Sequence, residues 1–97
     1  MNEIPTPKIS EILREEFMEP LNFSAYVLAK EINVPTSRIQ DILHERRQIT
    51  PDTSVRLGRL FGVFDRYFLN LQNDIDIRNL EEEKENEYSQ IQQYQFG

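Results

Sequence analysis

The stretch 24–62, SAYVLAKEINVPTSRIQDILHERRQITPDTSVRLGRLFG, decides the fold. Its apolar residues recur at helical spacing, and capping residues mark its breaks. Ser24 is placed to cap a helix over 25–32, with Leu28, Ala29 and Ile32 turned inward. Asn33 tolerates a left-handed turn, and Val34-Pro35 leads out of it. Thr36 is then expected to cap a helix over 37–45 that buries Ile39, Ile42 and Leu43. Thr50-Pro51-Asp52 opens the next helix with a cap, a first-turn proline and an acid. That helix runs to about Phe61 before Gly62 stops it, with Val55, Leu57, Leu60 and Phe61 available to the core.

Two short helices joined through 33–36 make a helix-turn-helix arrangement. Close crossing needs a small inward residue, which Ala29 supplies. A sharp turn favours Asn33, Val34 plugs the corner, and Ile39 and Ile42 pack the second helix onto the first. The outward face is then Thr36, Ser37, Gln40, Asp41 and His44. In such a motif the start of the second helix meets base edges. Gln reads adenine with paired hydrogen bonds, and Ser and Thr bond phosphates or bases. Arg38 reaches a phosphate or a guanine, while Arg46 and Arg47 follow the helix, placed for the backbone. Asp41 accepts from a cytosine or pairs with Arg38. A plain helical interaction module wants the same Ala, Asn and Ile spacing, so the pattern alone leaves both readings open.

The flanks extend the helical reading. Ile9, Ile12, Leu13 and Phe17 share one face of a helix over 8–18, which Glu19-Pro20 is expected to end. Asp65 is expected to cap a fifth helix carrying Phe68, Leu71 and Ile75 inward and continuing past Leu80. The end, EEEKENEYSQIQQYQFG, is acidic and then Gln-rich, which reads as a frayed tail without a packing partner. No segment alternates as a strand would. The expected fold is all-α, five helices, with 1–80 as the helix-turn-helix domain and 81–97 as the tail.

Composition bounds the chemistry. The 97 residues suit one domain, and with no cysteine there is no disulfide, thiolate site or cysteine nucleophile. No apolar run approaches a membrane span, and MNEIPTPKIS lacks the apolar core of a secretory signal, so a cytoplasmic location is expected. The net charge of −6 is unevenly placed: residues 71–97 hold seven acids and two bases, whereas 24–70 hold seven bases and five acids. Within 34–53, Arg38, Arg46 and Arg47 balance Asp41, Glu45 and Asp52, so any case for DNA rests on placement rather than net charge. His44 is the sole histidine, and HERR lacks the second His of a metalloprotease helix. The pairs Glu15-Glu16 and Asp74-Asp76 read better as solvated faces than as a cation site. No enzyme, cofactor or metal is expected.

From about Ile9 to Arg78 the chain resembles the HigA/VapI-type antitoxins, a branch of the phage-repressor-like (XRE) helix-turn-helix family. The resemblance lies in EILREEFMEPLN (11–22), SAYVLAKEINVPTSRIQDIL (24–43), ITPDTSVRLGRLFG (49–62) and LNLQNDIDIR (69–78). It implies a type II antitoxin: a homodimeric repressor of its own operator DNA that also neutralises a HigB-like RNA-cleaving toxin. By position, the DNA-facing residues it implies are Thr36, Ser37, Arg38, Gln40 and His44. Phosphate contacts are implied for Ser24, Arg46, Arg47 and Thr50. The alternatives are a solo regulator, or an interaction module that has lost DNA binding. The sequence departs from the family pattern at Val27 (often Arg), Asn33 (often Gly), His44-Glu45 (commonly Asn-Gly) and VFDRYFLN (usually a Ser-Pro start with a Trp).

Overall fold

The computed structural model describes residues 6–96. Residues 1–5 and 97 of the expected domain and tail lie outside the described residues. The elements are α1 (Ile9–Ile12), α2 (Ala25–Glu31), α3 (Thr36–Leu43), α4 (Pro51–Phe61) and α5 (Tyr67–Tyr88). A π-helical stretch, Leu13–Met18, and a 3₁₀ turn, Glu19–Leu21, prolong α1.

The first helix does not end at Glu19-Pro20 as expected. Glu19 keeps helical angles (φ −61°, ψ −43°), and the chain turns only at Asn22, which is left-handed (φ 56°). The wider π register opens the turn against which the proline ring would clash, and the tighter 3₁₀ turn accepts a residue without an amide proton.

The core is Leu13, Met18, Leu28, Ala29, Ile32, Ile39, Ile42, Ile49, Leu57 and Phe68. Phe17 stands at the centre of its aromatic part, with ring centroids 5.1 Å from Phe61 and 4.9 Å from Phe68. Tyr67 lies edge-on to Phe68 at 5.1 Å. These rings lock the first helix, the end of α4 and the start of α5 together, and ring pairs of this geometry add stability beyond their buried area. Val55, expected inward, is exposed instead, and Thr53, Ser54 and Gly58 are the buried residues of α4. A Cβ on Gly58 would lie 2.9 Å from the Phe64 carbonyl oxygen, so only glycine lets the 63–64 backbone return this closely. Gly62 ends α4 in the left-handed region (φ 74°), as its position predicts.

Asp65 does not cap α5. Arg66 holds that position, and both carboxylate oxygens of Asp65 accept from Arg59, at 2.8 and 3.1 Å. The acceptor for the helix's third amide, Leu69 N–H, is the Ser54 hydroxyl on α4 at 3.1 Å, which itself donates to the Asp65 carbonyl at 2.7 Å. Along α5, Phe68 is buried and Leu71 and Ile75 are half-buried. Gln72 is the unforeseen inward residue, 4% exposed. The tail is not frayed throughout: α5 stays helical to Tyr88, with a break in helical angles at Lys84 (φ −118°, ψ 21°), although 76–96 are all exposed.

Candidate nucleic-acid interface

α2 and α3 form the expected hairpin. Asn33 takes the left-handed turn (φ 59°), and Val34 N–H donates to the Ala29 carbonyl at 2.9 Å. Ile39 and Ile42 are buried behind α3. Ser37 and Gln40 are exposed on its other side, with Thr36 half-buried beside them. Thr36 is not the cap. Pro35 holds that position without a side-chain hydrogen bond, and Thr36 is the first helical residue. Proline supplies the extended angles a cap needs (φ −61°, ψ 143°), so helix entry requires nothing from the threonine hydroxyl. Among the described residues, neither the Thr36 nor the Ser37 hydroxyl has an internal partner.

The charged residues pair in a way the spacing did not suggest. Arg38 donates from Nη1 to Asp52 Oδ2 at 2.9 Å, not to Asp41. The same Asp52 oxygen accepts from Arg56 Nε at 2.9 Å, and Arg56 Nη1 reaches the Ile32 carbonyl at 2.9 Å. The hydrogen bond from Arg56, and then that from Arg38, hold the Asp52 carboxyl below the usual carboxylate range. Asp41 accepts from Arg46 at 3.0 Å and lies 3.8 Å from Arg47. Both arginines stay well exposed, at 60% and 48% of the side chain. The structure therefore brings Arg46 and Arg47 to one rim beyond α3, with their charge partly offset.

α3 ends at Leu43, short of the expected 45, because His44 caps it. The His44 backbone N–H (2.9 Å) and ring Nδ1 (2.8 Å) both lie on the Gln40 carbonyl. A carbonyl only accepts, so Nδ1 carries a proton in this contact. Glu45 follows in the left-handed region (φ 61°) and pairs with Lys8 at 3.2 Å.

The remaining positions are anchored as read. The Ser24 hydroxyl accepts from Val27 N–H at 3.1 Å, and the Thr50 hydroxyl from Thr53 N–H at 3.3 Å. Next to Thr50, at Ile49, lies a support that the spacing does not announce. The buried Gln72 side chain accepts from Ile49 N–H at 2.7 Å and donates to the Ile49 carbonyl at 2.9 Å. It thereby fixes the loop from α3 to α4.

No family model matches the chain. Over 84 residues it is 44% identical to Virulence-associated protein I of Dichelobacter nodosus, spanning 87% of this chain and 78% of that protein. The solved structure of antitoxin GraA in complex with its operator is 32% identical, covers 99% of this chain and 98% of that one, and superposes with a TM-score of 0.82. Pseudomonas aeruginosa antitoxin HigA, solved with the higBA promoter, is 28% identical over 95% of this chain and 100% of that one, with a TM-score of 0.81. The chain belongs to the HigA/VapI-type family of helix-turn-helix antitoxins.

Within this HigA/VapI-type frame, the residues missed are Asp52, Arg56 and Gln72. The four-residue spacing of Asp52 and Arg56 on one helix was a usable signal. Arg38 lies 14 residues from Asp52, and nothing local announces that pair. Gln72 follows the buried Phe68 by one turn, the position where a purely apolar count passes over an amide. Glu45 holds a left-handed angle without being glycine, which costs about 1–2 kcal/mol in backbone strain.

Proposed function

We propose that this chain is the antitoxin of a type II toxin–antitoxin pair. It is a non-enzymatic cytoplasmic repressor that binds its own operator as a homodimer and neutralises a small RNA-cleaving toxin of the HigB type. The observation that carries the DNA half is the outward face of α3. Ser37 and Gln40 are exposed, their side chains without a hydrogen-bond partner among the described residues, backed by buried Ile39 and Ile42, and flanked by Arg46 and Arg47. That is the arrangement base reading needs: polar side chains free on a rigid helix, with guanidinium groups nearby for phosphates. Thr36, Ser37, Arg38, Gln40 and His44 face the groove, while Ser24, Thr50, Arg46 and Arg47 meet the backbone. The operator-bound GraA and promoter-bound HigA structures support the same reading.

The homodimer draws support from apolar surface left uncovered on one chain, at Phe64, Ile77 and Leu80. Two copies set their recognition helices about 34 Å apart, one turn of DNA. The acidic 71–97 segment offers charge complementarity to a basic toxin.

The test is fluorescence anisotropy with duplexes from the gene's own upstream region. Affinity is expected to fall steeply between about 50 and 200 mM salt. Gln40→Ala should relax sequence preference, costing about 1–3 kcal/mol on the operator alone, and Arg46→Ala should weaken every duplex alike. No binding to any upstream fragment at low salt would sink the DNA reading. A small basic reading frame is expected beside the gene, and co-expressing this chain with it should relieve the growth arrest it causes; a chain that binds DNA but relieves nothing is a solo regulator.

A further inference from the structure

Three elements meet at the Asp52 carboxylate. Arg38, on α3, donates to Asp52 Oδ2 from Nη1 at 2.9 Å. Arg56, on α4, donates to the same oxygen at 2.9 Å and to the Ile32 carbonyl at the end of α2 at 2.9 Å. The carboxylate is thus linked to both helices of the hairpin, directly to α3 through Arg38 and to the end of α2 through Arg56. A guanidinium carries five donors in a rigid fork, so a bond to an anchored acceptor restricts the directions of the others. Among the described residues no other acceptor is bonded to Arg38, which leaves Nε and Nη2 unclaimed. Its side chain is 27% exposed, so part of it stays open to a ligand.

We propose that Asp52 is a specificity-determining positioning residue: its carboxylate, itself anchored through Arg56 to the end of α2, orients Arg38 for reading DNA. The inference rests on the DNA-binding reading above. Exposed ion pairs contribute little to stability, so the consequence of this one lies in recognition. A free arginine at this position would sample many phosphates and bind any duplex. A held arginine presents its remaining donors in one geometry, which only some base edges match.

The experiment measures binding of wild type, Asp52→Asn, Asp52→Glu, Arg38→Ala and the Asp52→Asn/Arg38→Ala double variant. Each is titrated against an upstream duplex and a scrambled duplex of equal length, with helicity checked by circular dichroism. Asp52→Asn should reduce the ratio of operator to scrambled affinity about tenfold, the scale of one lost base contact. Arg38→Ala should do the same, the double variant should lose no more than either, and Asp52→Glu should restore the ratio. A ratio unchanged in Asp52→Asn overturns the proposal, including the case where both affinities rise together through charge alone. Losses that multiply in the double variant overturn it too. NMR of the Arg38 Nε–H in the free protein gives an arm independent of DNA. It should be ordered in wild type and Asp52→Glu and mobile in Asp52→Asn; mobility in wild type refutes the clamp even if no duplex binds, a failure that would count separately against the DNA reading.

Discussion

α4 and α5 begin by different means. α4 starts on its own residues: Thr50 accepts from Thr53 N–H, Pro51 takes the first helical position, and Asp52 lies in the first turn. α5 has no side-chain cap of its own, and its early amide at Leu69 is served by Ser54 from the neighbouring α4. A helix start of the first kind is local chemistry. One of the second kind exists only once two helices have docked. The acid at 65 that would make α5 look locally capped is spent on Arg59.

Substitutions can break or sharpen that contrast. The largest effect is expected where α5 supports the loop leading into α4. Gln72→Leu keeps the side-chain volume but strands both backbone groups of Ile49, and should cost about 3 kcal/mol in urea unfolding. Ser54→Ala comes next. It leaves Leu69 N–H and the Asp65 carbonyl without their partner and should cost about 2 kcal/mol, which a cap local to α5 would not allow. Thr50→Ala removes one local cap and should cost about 1 kcal/mol, a fall of about 4–8 °C in Tm for a domain of this size, with Thr50→Ser recovering most of it.

Asp65→Asn should have the smallest effect, a Tm shift below that of Thr50→Ala at pH 7. Hydrogen bonding from Arg59 lowers the Asp65 pKa, so this pair stabilises the fold above the usual carboxylate range. That contribution is lost as pH falls through the lowered value. The Asn variant should therefore differ from wild type at neutral pH and converge on it in acid, as followed by thermal melts across pH. A Tm loss matching Thr50→Ala would restore Asp65 as a cap.

The same division runs through the candidate interface. Ser24, Asn33, Thr50 and Gly62 were legible because each acts on amides or angles within a few residues of itself. The burial of Ile39 and Ile42, and with it the outward placing of Ser37 and Gln40, followed from helical periodicity. Thr36 was misread as a cap because hydroxyl residues favour that position, yet Pro35 already supplied the geometry. Val55 was misread as core because hydrophobicity does not record that Ser54 is needed inside for its hydroxyl. Local spacing offered Arg38 the nearby Asp41 rather than Asp52, since a contact across 14 residues leaves no mark in it.

Short-range chemistry thus settled the helix count, most helix ends and the polar face of α3. Those properties depend on residues one to four positions apart, and such distances are constant in any helix. Docking settled which polar residues are buried and which charges find each other. A buried hydroxyl or amide is stable only where a backbone group from another element comes to meet it, as Ser54 meets Leu69 and Gln72 meets Ile49. The pairing of Arg38 with Asp52 is of the same kind, because it exists only when the start of α3 lies against the first turn of α4.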